Sequence, residues 1–194
     1  IRGFIANKYK EYNELHNHLN NENIYRYPLI QYKVIDNKPT ILAINETIDI
    51  LKQIDKTLTY IDISGIKKEI TDKSIEISNY QLGCIDSFKQ YQFITPWMGL
   101  NSTNYRIYCE VNDIEKSNLL ENILIGNIIS LSKGLNYTVT NNLHVDITFQ
   151  PKLVNYKNQK MICFIGKFQT NFLIPDYLGL GKSVAKGYGC VYGI

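Results

Sequence analysis

Val139-Thr-Asn-Asn-Leu-His-Val-Asp-Ile-Thr-Phe-Gln-Pro-Lys-Leu153 and Met161-Ile-Cys-Phe-Ile-Gly-Lys-Phe-Gln-Thr-Asn-Phe172 flank a turn-forming segment, Asn155–Gln159. Both arms are rich in β-branched and aromatic residues, so the stretch reads as one long antiparallel hairpin. Before it lies the longest helical pattern. It starts at Asp113 or Ser117 and runs to about Leu131, with Leu119, Leu120, Ile123, Leu124, Ile128 and Leu131 facing inward. Lys133-Gly134 ends it, and Gly126 inside it is a weak point. Farther upstream, Ser87–Phe93 reads as a strand broken by Pro96-Trp97-Met98-Gly99, and Tyr105–Val111 as strand-like or an extended lead into the helix. A glycine-rich segment and a short strand, Cys190–Ile194, close the chain.

The first half has a related plan. A helix is expected over about residues 2–16, with Phe4, Ile5, Tyr12, Leu15 and Leu19 on one side and an Asn-rich segment, Asn17–Asn23, after it. Tyr25–Ile35 and Thr40–Ile44 read as a hairpin around Asp36-Asn37-Lys38-Pro39. Thr47 is placed to cap a helix running to about Thr57, and Thr59–Ile63 returns as a strand. The order α-β-β-α-β suggests a β-α-β-β-α-β unit that begins at its helix, with the leading strand missing ahead of Ile1. Two α+β units fit the 194 residues, divided as residues 1–85 and 86–194.

Composition narrows the class. At 44% hydrophobic and 20% charged residues, the chain can bury a core without metal or disulfides. Cys84, Cys109, Cys163 and Cys190 are far apart, with no CxxC pair, which argues against a zinc ribbon and suits a reducing, cytoplasmic setting. No apolar run approaches the length needed to span a bilayer, and the N-terminal residues carry no signal-peptide pattern. The net charge of +3 is unevenly spread. Residues 150–194 hold six lysines against one acid, Asp176, while the remainder holds fifteen basic against seventeen acidic side chains. That C-terminal excess, interleaved with aromatic residues, reads either as a lysine-fringed sheet edge or as a surface tracking an RNA backbone.

The sharpest local motif is Gly179-Leu-Gly181-Lys182-Ser183-Val-Ala-Lys186-Gly187-Tyr188-Gly189. Its glycines allow positive φ and close backbone approach, its lysines add charge, and Ser183 adds a hydroxyl, a combination suited to a phosphate chain or to a simple turn. A dinucleotide fingerprint would need a small residue at Val184, and a Walker A loop a glycine at Asp176. The second motif is Leu15-His16-Asn17-His18-Leu19. Histidines at i and i+2 point apart on a strand and lie about 200° apart on a helix, so a shared metal is disfavoured and proton transfer fits better. Tyr25 and Tyr27 follow beside Arg26, as candidate donors to a phosphate oxygen, and His144 is read as structural. There is no GxSxG, HExxH, paired carboxylate or kinase set.

Arg2-Gly-Phe-Ile-Ala6 through Leu15–Leu19, Tyr25-Arg-Tyr-Pro-Leu-Ile-Gln-Tyr-Lys33 with Pro39–Asn45, and Ile174-Pro-Asp-Tyr-Leu178 into Gly179–Gly189 together resemble the CRISPR repeat-processing endoribonucleases of the RAMP superfamily, nearest the subtype I-B branch. That resemblance implies tandem ferredoxin-like (RRM-like) domains and cleavage of precursor CRISPR RNA within its repeats. It implies chemistry without metal or cofactor, in which a ribose 2′-OH attacks the neighbouring phosphate and leaves 2′,3′-cyclic phosphate and 5′-OH ends. His18 would be the general base with His16 as its alternative. Tyr25 or Tyr27 would serve as acid or electrostatic donor, and Gly179, Gly181, Lys182, Ser183, Lys186, Gly187 and Gly189 would hold the RNA. Expected partners are the CRISPR repeat RNA and subunits of a CRISPR effector complex, with a monomer or homodimer both open. A non-catalytic RNA-binding subunit of the same superfamily, and a small-molecule phosphate enzyme, are the alternatives.

Overall fold

A computed structural model describes residues 1–15, 18, 19, 22, 23, 27–63 and 65–194, the backbone alone at 18, 19, 22 and 23. The chain forms two compact units, Ile1–Asn79 and Tyr80–Ile194, and both are α+β with antiparallel pairing. No described helix is long and apolar enough to cross a membrane.

In the first unit, helix α1 (Arg2–Lys8) is followed by a 3-10 turn, Asn13–Leu15. The helix expected to reach residue 16 therefore stops early. Tyr9 leaves helical geometry and is drawn into the core, where its hydroxyl meets Thr57 Oγ1 at 3.0 Å. A short ladder pairs β1 (His18–Leu19) with β2 (Glu22–Asn23). Next comes the hairpin of β3 (Ile30–Ile35) and β4 (Lys38–Ala43), whose turn residues Asp36 and Asn37 both have positive φ, as a two-residue hairpin requires. Helix α2 (Ile48–Thr57) leads into β5 (Tyr60–Ile63). Thr47 precedes α2 without capping it, because its hydroxyl is turned to the Ile44 and Leu29 carbonyls. The sequence reading also missed β6 (Ile66–Glu69), which folds back on β5 through Gly65 at φ +85°. Ile5, Leu15, Ile30, Tyr32, Ile54 and Leu58 form the core of this unit.

The second unit carries one four-stranded sheet. Its strands are β7 (Gly83–Trp97), β8 (Val145–Tyr156), β9 (Gln159–Leu173) and β10 (Val191–Gly193), in the order β10-β7-β9-β8. Pro96 does not break β7, because the register against β9 slips between Phe93 and Trp97 and a residue without an N–H fits there. The β8–β9 hairpin turns at Lys157-Asn158, both at positive φ. Its first arm begins at Val145, not Val139, since Asn171 ties down the preceding loop by accepting from the His144 amide and donating to the Asn142 carbonyl.

Tyr105–Val111, expected as strand-like or an extended lead into the next helix, falls largely in helix α3 (Ser102–Glu110), because Asn101 Oδ1 accepts from the Asn104 amide and so starts a turn. Helix α4 (Asp113–Gly134) begins in a capping box in which Asn112 and Glu115 satisfy one another's amides. Its buried residues Leu120, Leu124, Ile128 and Leu131 belong to the expected stripe. Aromatic rings of Tyr91, Phe93, Trp97, Phe149, Phe164 and Phe168 pack against one another on the sheet, Tyr91 stacked on Phe168 and Phe93 on Trp97, the others tilted. All four cysteines are free thiols, and burial pushes Cys163 up to about 11.

The capping box gives a stability test. Asn112→Ala orphans the first amides of α4 and should cost about 1 kcal/mol in a denaturant titration, with the denaturant slope unchanged.

Candidate functional site

The glycine-rich segment joins β9 to β10, where a β-α-β-β-α-β plan would carry its second helix. It is bound closely to the end of β7. The Lys182 amide donates to the Met98 carbonyl at 3.0 Å, the Gly189 amide to the Pro96 carbonyl at 2.9 Å, and the Cys190 amide to Thr95 Oγ1 at 2.8 Å. Leu178, Leu180 and Val184 point into the core. Two glycines are required by contact as well as by angle. A Cβ at Gly181 (φ +86°) would lie 2.7 Å from Trp97 Nε1, and one at Gly189 (φ +66°) would lie 2.0 Å from the Leu180 carbonyl oxygen.

Ser183 at φ 58° and Gly187 at φ 90° bracket one 3-10 turn, Val184–Lys186. Within the loop, the amides of Leu180, Lys186, Gly187 and Tyr188 donate to Gly189, Ser183, Val184 and Ser183 carbonyls. Gly179 bridges Cys190. Seven amides of the segment are thus committed to the protein's own oxygens, counting Lys182, Gly189 and Cys190 with these four. The loop's outward chemistry therefore comes chiefly from side chains, the exposed Lys182 and Lys186 and the half-buried Ser183.

Tyr156, at the end of β8, organises two of those side chains. Its phenol oxygen accepts from Ser183 Oγ at 2.9 Å and from Lys186 Nζ at 3.1 Å, and Tyr188 packs edge-on against its ring. Lys186 Nζ also lies 5.0 Å from the ring centroid. Burial alone would raise the phenol's pKa. The hydrogen bonds from Ser183 and Lys186, with the charges of Lys186 and Lys157, outweigh it and hold the group below the ordinary tyrosine value.

In the first unit, Tyr27 is half-buried and its hydroxyl accepts from Gln31 Nε2 at 2.9 Å. Gln31 Oε1 in turn accepts from Lys33 Nζ at 2.7 Å. Gln31 is 0% and Lys33 3% exposed, so a buried lysine Nζ orients the amide that holds Tyr27. His16 and Tyr25 lie outside the described residues. For His18 the backbone is strand, paired with Asn23, and its side chain is not described. His144 is exposed at the mouth of a cavity of about 580 Å³ beside α4. Among the described residues no group of three or more His, Cys, Asp or Glu is placed to hold a metal.

Sequence reasoning found the glycines and lysines of the loop but gave no role to Tyr156, Gln31 or Lys33. No local signal marks Tyr156, because its partners are about thirty residues away and meet it only through the β8–β9 hairpin.

The family model of the Cas6b C-terminal domain matches residues 83–194, and that of the Cas6b N-terminal domain matches residues 1–81. The chain belongs to the Cas6b family. An uncharacterized protein of Methanocaldococcus jannaschii is 39% identical over 132 residues, covering 68% of this chain and 90% of that protein. A crystal structure of Cas6b, 39% identical, superimposes with a TM-score of 0.96 over 100% of this chain and 89% of the other. The crystal structure of a CRISPR RNA processing endoribonuclease Cas6b, 36% identical, gives 0.77 over 100% and 88%. A CRISPR-associated protein Cas6, at 16% identity and a TM-score of 0.53, shares the fold, over 100% of this chain and 89% of the other. The Cas6 tandem ferredoxin-like architecture thus describes this α+β chain.

The Tyr156 cluster predicts a spectroscopic result. Subtracting the ultraviolet pH titration of Tyr156→Phe from that of the parent chain should reveal a phenol titrating below the bulk tyrosines. In Lys186→Ala the same difference curve should move up, because the cation that stabilises the phenolate is gone.

Proposed function

We propose that this Cas6b-family endoribonuclease cuts precursor CRISPR RNA within its repeats by attack of a ribose 2′-OH on the adjacent phosphate. The observation that carries the reading is the match of Cas6b family models over both units, together with the name of the 36% identical relative, a CRISPR RNA processing endoribonuclease. In the step, the 2′-oxygen–phosphorus bond forms and the phosphorus–5′-oxygen bond breaks. A base takes the 2′-hydroxyl proton and an acid supplies one to the departing 5′-oxygen, giving a 2′,3′-cyclic phosphate and a 5′-OH.

His18, with His16 as its alternative, is assigned the base, since imidazole exchanges protons near neutrality. Tyr25 or Tyr27 is assigned the acid or electrostatic role, and the Gln31 bond holds the Tyr27 hydroxyl in place. Lys182 and Lys186 neutralise the RNA backbone, with Ser183 as a hydroxyl donor and the glycines 179, 181, 187 and 189 giving the loop its shape. The chemistry needs no metal, because every proton and charge in it has a side chain to serve it. The partner is CRISPR repeat RNA, in the cytoplasm, with effector-complex subunits receiving the product.

Incubation with a labelled CRISPR repeat RNA in EDTA should give cleavage, and the same RNA with a 2′-deoxy scissile nucleotide should stay intact. His18→Ala should slow the reaction by about 10²-fold or more while leaving RNA affinity unchanged. Tight binding with no cleavage by the unaltered chain would favour the non-catalytic RNA-binding reading. Binding should also weaken with salt, and Lys182→Ala and Lys186→Ala should each lower the slope of log K against log[salt] by about 0.7 on single-stranded RNA.

A further inference from the structure

Beside the glycine loop, α3 and α4 enclose an open groove of about 490 Å³ in the second unit. Asn101, Asn104, Asn122 and Asn127 line it with Lys182, and Leu119 and Ile123 supply apolar wall. No carboxylate lines it. Two of the asparagines have their oxygen engaged within the protein. Asn101 Oδ1 accepts from the Asn104 amide at 2.6 Å, and Asn127 Oδ1 accepts from Trp97 Nε1 at 3.0 Å. Each of these also carries an N–H₂ group, a pure donor, while its oxygen is already half-used. Lys182 adds a cation, and the hydrogen bond from its amide to the Met98 carbonyl fixes its backbone at the rim.

A groove with apolar wall, several N–H donors, a cation and no acid suits a flat, acceptor-edged, anionic ligand. We infer that it is a nucleotide subsite for a base presenting a carbonyl edge, as uracil and guanine do, with the attached phosphate near Lys182. Adenine and cytosine would set their exocyclic N–H₂ against the asparagine N–H₂ groups and leave donors facing donors. Single-stranded RNA is read in this way, through splayed bases bonded on their edges. The inference rests on the RNA-cleaving reading above and adds a base preference to it.

The test uses the full chain and four fluorescent pentanucleotides forming two matched pairs, I5 with A5 and U5 with C5, beside a CRISPR repeat RNA. Within each pair the ring skeleton is the same, a carbonyl replaces an amine and the adjacent ring nitrogen carries a proton in place of a lone pair. The carbonyl member should bind about five-fold or more tightly in at least one pair. Asn101→Asp and Asn127→Asp keep the oxygen that caps α3 or meets Trp97 and remove the N–H₂. Both should retain thermal stability and abolish that ratio, although their added charge lowers all affinities together. Equal binding within both pairs, or a preference that survives both substitutions, overturns the subsite and leaves RNA binding intact. If the chain binds neither the pentanucleotides nor the repeat RNA, the RNA reading itself falls and the subsite falls with it.

Discussion

Trp97 is where the second unit is held together. Its side chain is fully buried at the end of β7, stacked on Phe93 and packed on Phe149 and Phe164. Its indole N–H reaches Asn127 of α4, and Gly99 and Gly181 lie so close to the ring that neither could carry a Cβ. The carbonyls on either side of it, Pro96 and Met98, accept the amides of Gly189 and Lys182. Sheet, helix and glycine loop therefore meet at one residue, and a buried indole N–H without its partner would cost about 1–3 kcal/mol. The position of the loop lysines follows from this packing.

The loop shows how the same residues serve a different purpose from the one their spacing suggests. Glycines in such a run are permissive for phosphate cradles, yet here Gly181 and Gly189 are demanded by the Trp97 ring and by the Leu180 carbonyl. Most of the amides are consumed in fastening the loop down. That gives rigidity to Lys186 and Ser183, which Tyr156 then holds from the side. Side chains so fixed lose less entropy on meeting a phosphate than free surface lysines would.

Much of the fold was legible because it is written locally. The leucine stripe of α4 and the turn chemistry of Asp36-Asn37 and Lys157-Asn158 are short-range signals. What was misread depends on partners remote in sequence. Tyr9 ends α1 because it belongs to the core with Ile54 and Leu58. Pro96 stays in β7 because the opposing register slips beside it. Residues 102–110 turn helical on the strength of one cap at Asn101, against tyrosines and isoleucine that favour strand. In the site, the lysines and glycines announce themselves, whereas Tyr156 and Asn127 are ordinary residues until the hairpin and α4 bring them to the loop.

Affinity and specificity would then come from different faces of the same loop. Lys186 with Tyr156 lies at the hairpin end, where charge attracts any phosphate backbone regardless of sequence. Lys182 stands on the groove of asparagines, where the proposed subsite would discriminate among bases. The Met98 and Pro96 carbonyls anchor the loop on both sides of its 3-10 turn. A backbone docked on one face presents a particular nucleotide to the other. A loop able to move would read charge alone, since base edges can be distinguished only by donors whose positions do not adapt.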